Sequence, residues 1–506
     1  MIFKKTAALF LVALILALFG AALFIYNKSP TKNDNHLTSF VLYAQDQNGD
    51  TIALLRTIQP SLNQTCPIPL IDNLPANKIA MQARQNPAPT DFPITVCEAL
   101  YPKDSQLFLN GEALLKPSYR SEHIAVLGDS GCKSPKQTCT LNSDNWFFNT
   151  LASISAKDQP DVVLHMGDYN YSGTPGSIHL LGQNYLDQES KVQVYDAGDN
   201  TTQGMCKIAG PYYGQNSEGS EFRDSWKHWQ QDFFNPAQSL LNKAPWVFAR
   251  GNHELCSRAG PGWFYLLDSH SPLLGKYQKQ LSCPATNNLS PMVFSQPYAL
   301  NLDKANILVL DSTNACDSGL LNLDQYQNQF LLGKRMLQTL PTGFNILQTH
   351  RPMFGIDELA KVGNCGNNQE GDHCPMSQTL QQANRLTGLT DEVQLLISGH
   401  MHRFQSTHFE GSTFPDQLVV GTSGVALAGN FPAEPTQLKI EKNNAYVNGT
   451  SQYAYLKLEI PADTDAINDD MDKPSPKAEW HATLINRQNK TLMVCQPGQE
   501  QLCKAP

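Results

Sequence analysis

The sequence has no excess of basic residues. It contains 37 Lys and Arg residues against 46 Asp and Glu residues, which gives a formal net charge of -9 at pH 7. Proteins that bind nucleic acids generally need a basic face, so this balance argues against a nucleic-acid partner. Small anionic substrates are compatible with it, because bound metal ions can outweigh the protein's own charge locally.

The twelve cysteines include no CxxC pair, the spacing typical of many zinc sites. Several cysteines are instead close in sequence and could close short loops in an oxidising compartment. These pairs are Cys132 with Cys139, Cys365 with Cys374, and Cys495 with Cys503. Buried free thiols are the alternative. The pattern favours disulfides and export, and it leaves the connectivity open.

Charge is absent from residues 6–26, an apolar run that follows Lys4 and Lys5. This is about the length that a helix needs to cross a bilayer. It exceeds the ~7–15 apolar residues of a signal peptide. Gly20-Ala21-Ala22 offers a cleavage site, but the apolar run continues past it. We therefore predict a signal-anchor over residues 1–27, uncleaved rather than cleaved, with the rest of the chain periplasmic or extracellular.

Residues 38–119 are predicted to form a β-rich accessory region, either separate or an extension of the main core. Two strand-like runs flank Asn48-Gly49, a strong hairpin signal. The stretch DQNGD resembles the start of a calcium loop, but Thr57 stands where such a loop needs a bidentate Glu. This region carries no recognisable chemistry.

Residues 120–495 alternate short apolar runs with longer helical segments, which is typical of a layered α/β fold. Five runs each end in a polar cluster: HIAVL before GDSG, DVVLHM before GDYNY, APWVFA before RGNHE, FNILQ before THRP, and VQLLIS before GHMH. Ligands bind at the carboxyl ends of strands in such sheets, so the five clusters can converge on one site. A sixth run, NILVLDST, ends at Asp311 but lacks the cluster of Gly, Asn or His residues that follows the other five. We therefore interpret Asp311 as a structural residue.

Residues 172–244 are predicted to be an insertion whose first half is a lid or specificity loop. Its second half places aromatic residues at helical spacing, at Phe222, Trp226, Trp229 and Phe233. Periodicity favours a helix that packs this stripe on the core over an aromatic substrate platform. After His402 the chain returns to strands, and residues 496–506 are predicted to be a C-terminal tail.

The polar clusters supply a set of candidate metal ligands, with one further histidine beside them. The candidate ligands are Asp129, Asp168, Tyr171, Asn252, His350, His400 and His402, and the neighbouring non-ligand is His253. Carboxylate, imidazole and amide donors suit Zn, Mn or Fe(II), and a carboxylate can bridge two ions ~3.5–4 Å apart. A phenolate favours a ferric ion over zinc.

Three further residues near these clusters have open or structural interpretations. Arg351 and Arg403 each follow a candidate histidine, so each could contact a phosphate or form a salt bridge with a nearby acid. His165 lies inside its strand, and we predict that it is buried there, either as a structural residue or as a support for a ligand.

The blocks GDSG, GDYNY, GNHE, the lone histidine of THRP and GHMH, in this order, resemble the five motifs of the calcineurin-like metallophosphoesterases. The residue pattern within these motifs is similar to that of the purple acid phosphatase branch. The resemblance spans residues 124–402. It implies an α/β fold, a four-layer αββα sandwich of two mixed β-sheets flanked by helices.

The resemblance also implies an Fe(III) ion beside a divalent Fe, Zn or Mn ion, with Asp168 bridging them. The ferric ion would take Asp129, Asp168, Tyr171 and His402. The divalent ion would take Asp168, Asn252, His350 and His400. His253 would hydrogen-bond the phosphate and protonate the leaving oxygen.

The implied activity is that of an exported acid phosphatase-like enzyme acting on small phosphate monoesters by in-line attack of a metal-bound hydroxide. A phosphodiesterase, or a nucleotide or lipid-headgroup hydrolase, is the alternative on the same fold. A distant alternative is an inactive scaffold used as a binding protein, which predicts missing ligands, and none of the seven is missing. No obligate protein partner is predicted, and membrane contact is expected only through the N-terminal segment.

Overall fold

The computed structural model describes residues 37–132, 147–171, 224–256, 258–283, 293–315, 317, 320, 322–360, 371–461, 480–497 and 501–506. The predicted signal-anchor and residues 172–223 of the predicted insertion lie outside the described residues. In the part of the chain that is described, no helix is both long enough and apolar enough to cross a membrane.

Strands make up most of the regular structure. In chain order they are β1 Thr38–Gln45, β2 Thr51–Gln59, β3 Leu70–Ile71, β4 Gln82–Ala83, β5 Thr95–Tyr101, β6 Leu107–Leu109, β7 Glu112–Ala113, β8 His123–Leu127, β9 Val162–His165, β10 Trp246–Phe248, β11 Tyr298–Leu302, β12 Ala305–Val309, β13 Phe344–Gln348, β14 Leu395–Ser398, β15 Phe404–Phe409, β16 Asp416–Val420, β17 Thr436–Ile440, β18 Asn443–Thr450, β19 Ala454–Glu459, β20 His481–Asn486, β21 Thr491–Cys495 and β22 Cys503–Lys504.

The helices lie mainly in the crossover connections between strands. They are α1 Phe147–Lys157, α2 Trp226–Trp229, α3 Asn235–Leu241, α4 Gly260–Leu266, α5 Leu323–Thr339 and α6 Gln378–Thr387. A π-helical turn, Gln230–Phe234, joins α2 to α3. Short 3-10 turns occur at Asn252–Glu254, Pro272–Leu274 and Leu389–Glu392.

Within the described residues the strands form two large sheets and one small one. The first has the order β22-β21-β20-β19-β8-β9-β10-β1-β2-β5-β4, and the second has the order β11-β12-β13-β14-β16-β15-β18-β17. Each contains a parallel central part, β8-β9-β10 in the first and β12-β13-β14-β16 in the second. The small sheet is β3-β6-β7.

The two large sheets pack face to face, and helices cover their outer faces. In β9, Val162 and Leu164 point into the core between the sheets, whereas Val163 points into the core beneath α1, α3 and α4. In β12, Ile307 points between the sheets and Leu308 points toward α5. Burial of both faces explains why these strands appear in the sequence as unbroken apolar runs. The predicted four-layer αββα architecture is therefore confirmed.

All five apolar runs that precede the polar clusters are strands: β8, β9 and β10 in the first sheet, and β13 and β14 in the second. Parallel pairing within each sheet brings their carboxyl ends to a common edge. The amide of Gln348 at the end of β13 donates to the backbone carbonyl of His165 at 3.0 Å, which ties the two edges together.

The β-rich region of residues 38–119 extends the main core. Strands β1, β2, β5 and β4 continue the first sheet beyond β10. Asn110 and Gly111, which both have left-handed φ, form the turn between β6 and β7. Within residues 496–506, predicted to be a C-terminal tail, Cys503 and Lys504 form β22 at the opposite edge of the same sheet.

The predicted aromatic stripe packs on the core where it is described. Trp229 and Phe233 are fully buried beneath the first sheet, and Trp226 is partly buried against the same cluster. Phe222 lies outside the described residues. This segment leads into α3, part of the parallel crossover from β9 to β10, so the packing on the core that the periodicity favours is observed for the described residues.

The described residues contain three complete disulfides: Cys66–Cys97, Cys256–Cys283 and Cys495–Cys503. The last of these confirms one predicted pair. Cys132 and Cys374 are also disulfide-bonded. Their predicted partners, Cys139 and Cys365, lie outside the described residues.

Candidate metal centre

The structure brings the seven predicted ligands together at the common edge of the two sheets. Two groups of side chains offer donor atoms that lie within 4.8 Å of one another: Asp168 with His350 and His400, and Asp129 with Asp168 and His402. Asp168 belongs to both groups. Asn252 and Tyr171 each join one group through the contacts described below.

The backbone at the ligands is held in an unusual conformation. Asp129, Asp168, His400 and His402 have φ values of 55°, 58°, 74° and 51°, in the left-handed region. Such φ values are uncommon outside glycine and cost of order 1–3 kcal/mol each, so the surrounding structure must enforce them. Strained backbone of this kind clusters at functional sites, which makes this edge the candidate site.

One source of this constraint is Glu254, the last residue of GNHE. Its buried carboxylate accepts hydrogen bonds from the backbone N–H groups of Asp168 at 3.0 Å, Tyr169 at 2.9 Å, Asn170 at 3.3 Å and Gly251 at 3.0 Å. It therefore joins the GDYNY loop to the GNHE loop. Sequence reasoning quoted Glu254 within its motif but assigned it no role.

The first group centres on the phenol of Tyr171. Its Oη lies 2.8 Å from Asp168 Oδ2, 3.2 Å from Asp129 Oδ1 and 3.0 Å from His402 Nε2. The Tyr171 backbone N–H donates to Asp232 at 2.8 Å, which holds the loop in place. Two carboxylates, a phenol and an imidazole thus converge.

The second group centres on the side-chain oxygen of Asn252. Asn252 Oδ1 lies 2.9 Å from His350 Nε2 and 2.8 Å from His400 Nδ1. His350 Nδ1 lies 2.7 Å from the Met166 carbonyl oxygen, so Nδ1 carries the proton and leaves Nε2 for the site.

Asp168 lies between the two groups with one oxygen toward each. Oδ2 accepts the Tyr171 hydroxyl, whereas Oδ1 lies 3.3 Å from His350 Nε2 and accepts the backbone N–H of His253 at 2.8 Å. This arrangement fits a carboxylate that bridges two cations.

The electrostatics of the donor set also fit bound cations. Burial, together with the neighbouring Asp168, raises the pKa of Asp129 to about 7. Burial and the charges of Asp168 and Asp129 raise the pKa of Tyr171 well above its usual value. Cations in the site would stabilise the ionised forms of both groups.

Two basic residues, His253 and Arg258, flank the centre. The His253 ring is half-buried and lies 3.9 Å, centroid to centroid, from the Tyr171 ring. Arg258, which sequence reasoning missed, follows on the same loop, where the N–H of Ala259 donates to the His253 carbonyl at 3.0 Å. Burial lowers the pKa of Arg258, while the charge of Asp168 raises it, so its guanidinium lies within electrostatic reach of the bridging carboxylate.

The two arginines whose roles were left open both form ion pairs. Arg351 pairs with Asp317, and Arg403 pairs with Asp357 at 3.3 Å. The predicted burial of His165 is confirmed, because its ring is fully buried and hydrogen-bonds Ser130, the neighbour of Asp129, at 2.9 Å. Asp311 is structural and pairs with the buried Arg250 at 3.1 Å.

Comparison with known proteins identifies the family. Residues 123–404, more than half of the chain, match the model of the calcineurin-like phosphoesterases. Among solved structures, the chain is similar to purple acid phosphatase PPD1 from yellow lupin (Lupinus luteus) seeds, with a TM-score of 0.50 and 13% identity over 90% of this chain and 73% of that chain.

A weaker similarity is to GAP50, the anchor in the inner membrane complex of Plasmodium, with a TM-score of 0.35 and 10% identity over 74% of this chain and 87% of that one. No curated protein matches the sequence. The match of the family model to the five motif loops, together with the sandwich fold, shows that the chain belongs to the calcineurin-like phosphoesterase family.

Proposed function

We propose that this phosphoesterase is an exported enzyme that hydrolyses phosphate monoesters at a dinuclear metal centre. The observation that carries the proposal is the position of Asp168, whose two oxygens face two separate groups of donors. A centre that holds two ions ~3.5–4 Å apart can stabilise both the attacking and the leaving oxygen of a displacement at phosphorus.

Each ion has a proposed set of ligands. Asp129, Asp168, Tyr171 and His402 hold the first ion, and Asp168, Asn252, His350 and His400 hold the second. The phenol and two carboxylates support Fe(III) at the first position, and the amide and imidazoles support divalent Fe, Zn or Mn at the second. Bound ions would supply Lewis acidity at the phosphate and make a water molecule more acidic.

His253 and Arg258 are the proposed contacts for the substrate. His253 is placed by its backbone bond to Asp168 and would donate to a phosphoryl oxygen and then to the leaving oxygen. Arg258 makes no ion pair with any described residue, so its guanidinium is available to a phosphate. A monoester carries more negative charge than a diester, and this extra cation supports the monoester.

Substrate comparison tests the activity. The purified protein should hydrolyse p-nitrophenyl phosphate faster than bis-p-nitrophenyl phosphate at acid and neutral pH, and the reverse order would indicate the phosphodiesterase alternative. Asp168→Ala should abolish hydrolysis, while Asp104→Ala, at an exposed aspartate outside the motifs, should leave it unchanged. Unchanged activity in Asp168→Ala would overturn the metal-centre proposal.

Colour tests the ferric assignment. An Fe(III) ion bound by Tyr171 should give a visible charge-transfer band that Tyr171→Phe removes. Metal analysis of the same samples should find iron in the wild-type protein. A colourless protein that is fully active with zinc or manganese alone, and unaffected by Tyr171→Phe, would exclude iron.

Export is supported by the disulfides, which persist in oxidising compartments. Cell fractionation should recover the protein outside the cytoplasm, and N-terminal sequencing should show whether residues 6–26 are retained. A protein found with reduced cysteines in the cytoplasm would contradict this part of the proposal.

A further inference from the structure

Asp317 contacts a candidate metal ligand from outside the centre. Its Oδ1 lies 2.8 Å from His400 Nε2, the ring nitrogen that faces away from the site. The opposite nitrogen, Nδ1, lies 2.8 Å from Asn252 Oδ1 and 3.2 Å from His350 Nε2. His400 therefore uses one nitrogen toward the centre and the other toward Asp317.

The same carboxylate holds Arg351. The Arg351 Nη1 atom pairs with Asp317 Oδ1 and also lies 3.0 Å from His400 Nε2. The Arg351 and His400 side chains are only 9% and 11% exposed, whereas that of Asp317 is 44% exposed. Asp317 thus lies at the rim, and its backbone carbonyl accepts the N–H of Ser377 at 3.0 Å, just before α6.

The position of the proton on the His400 ring determines which neighbour Nε2 needs. An imidazole that binds a metal ion through Nδ1 must carry its proton on Nε2. Nε2 then needs an acceptor, and the guanidinium of Arg351 has only donors. Among the described contacts of His400 Nε2, Asp317 is the group that can accept both the Arg351 and the His400 protons.

We propose that Asp317 is a positioning residue for the second ion, which fixes the tautomer and ring orientation of His400 and holds Arg351 beside it. The inference rests on the proposed dinuclear centre. Outer carboxylates of this kind orient metal-binding histidines and raise their basicity, and their loss typically weakens metal binding by ~10–100-fold. Asp317 lies in the segment after β12, which also contains the structural residue Asp311.

Zinc titration of the metal-free protein tests the proposal. The wild-type protein should bind two Zn²⁺ ions, and Asp317→Asn should weaken one of the two sites by ~10–100-fold and leave the other unchanged. Asp317→Glu should recover part of the lost affinity. Asp357→Asn is the matched control, because it breaks the equivalent ion pair with Arg403 without a contact to a candidate ligand.

A double-mutant cycle identifies the route of the effect. If Asp317 acts through His400, Asp317→Asn should have no further effect on zinc binding in a His400→Ala background. Two intact zinc sites in folded Asp317→Asn, or an equal loss in Asp357→Asn, would overturn the positioning role. A wild-type protein that does not bind two Zn²⁺ ions would instead overturn the dinuclear centre itself.

Discussion

Gly251 of the GNHE loop lies directly against Asp168 of the GDYNY loop. A Cβ atom built on it would lie 2.2 Å from both the backbone nitrogen and the Oδ1 atom of Asp168. Real Cβ atoms essentially never approach so closely, so any side chain here would push the bridging carboxylate away. Only glycine at position 251 leaves room for the Asp168 side chain and backbone in their observed positions.

Gly251→Ala is predicted to displace Asp168 and to weaken both metal sites, because the carboxylate serves both groups. Overpacking of this kind typically costs ~1–3 kcal/mol of unfolding free energy. Urea denaturation and zinc titration measure the two effects. Gly429→Ala is the matched control, since a Cβ there has no atom within 4 Å. Equal behaviour of the two variants would show that the loops can separate without loss of the centre.

Asp168 should also link metal binding to stability. Burial and the charge of Asp168 raise the pKa of Glu254 to about 8, and they also raise the pKa of Asp129. Without metal ions, the buried carboxylates of the site therefore repel one another. Each ion present at about 100 times its dissociation constant adds ~2.7 kcal/mol. A chelator should therefore lower the melting temperature of the wild-type protein in calorimetry. Asp168→Ala should show little response, and an equal response there would place the ions elsewhere.

Helix α4 connects the N-terminal strands to the centre, because it begins directly after the loop that carries His253 and Arg258. Two buried arginines hold its last turn. Arg56 of β2 donates to the carbonyls of Leu266 and Asp268, and Arg84, beside β4, donates to those of Phe264 and Tyr265. These donors satisfy the carbonyl groups that a helix leaves unpaired at its C-terminus.

Glu98 of β5 forms buried ion pairs with Arg56 at 2.8 Å and with Arg84 at 2.6 Å. Burial raises the pKa of Glu98, but the two guanidinium groups outweigh burial and lower its pKa to about 2 from 4.5. Because the pKa of Glu98 is lower in the folded than in the unfolded protein, the ionised carboxylate stabilises the fold by about 3 kcal/mol at pH values above 4.5. This stabilisation is lost as the pH falls from 4.5 toward 2.

Glu98→Gln is therefore predicted to be less stable than the wild-type protein at neutral pH by roughly 3 kcal/mol, because it leaves two buried cations unbalanced. Its stability should also depend less on pH between 4.5 and 2. Denaturation across this range measures both effects. Glu122→Gln, which removes an exposed pair with Arg120, should match the wild-type curve, and a flat wild-type curve would contradict the assignment.

Local sequence predicts the elements that carry ligands, but not the contacts that depend on how strands are ordered. The five apolar runs are recognisable because both faces of each strand are buried. Glu254 was not assigned because its role depends on where backbone N–H groups point. Arg258 and Asp317 were missed because their loops reach the centre only through tertiary packing, which no spacing in the sequence encodes.

At the scale of the molecule, the described residues from 39 onward group into one compact unit, which agrees with the second of the two interpretations of residues 38–119, an extension of the main core. The reason is the position of β1, which pairs with β10 in parallel, with Leu42 opposite Trp246. Strand β10 leads directly into the GNHE loop. The N-terminal strands therefore complete the sheet that positions this loop.

This arrangement predicts that the two ends of the chain differ in importance. A chain that begins at residue 120 loses β1 to β7. The loss of β1, β2, β4 and β5 uncovers the edge of β10 and the buried end of α4. We expect it to be insoluble, or to unfold without cooperativity. A chain that ends at residue 497 loses only the two-residue β22, and with Cys495→Ser it should fold.

Soluble yield, cooperativity of urea unfolding and zinc stoichiometry, each compared with residues 38–506, measure this difference. If the chain from residue 120 folds and binds two Zn²⁺ ions, then the N-terminal strands are a separable accessory region and α4 holds the centre without them. If it fails while the C-terminal truncation succeeds, the centre depends on a sheet that the motif-bearing strands cannot complete alone, because β10 needs a neighbour on the side that β1 occupies.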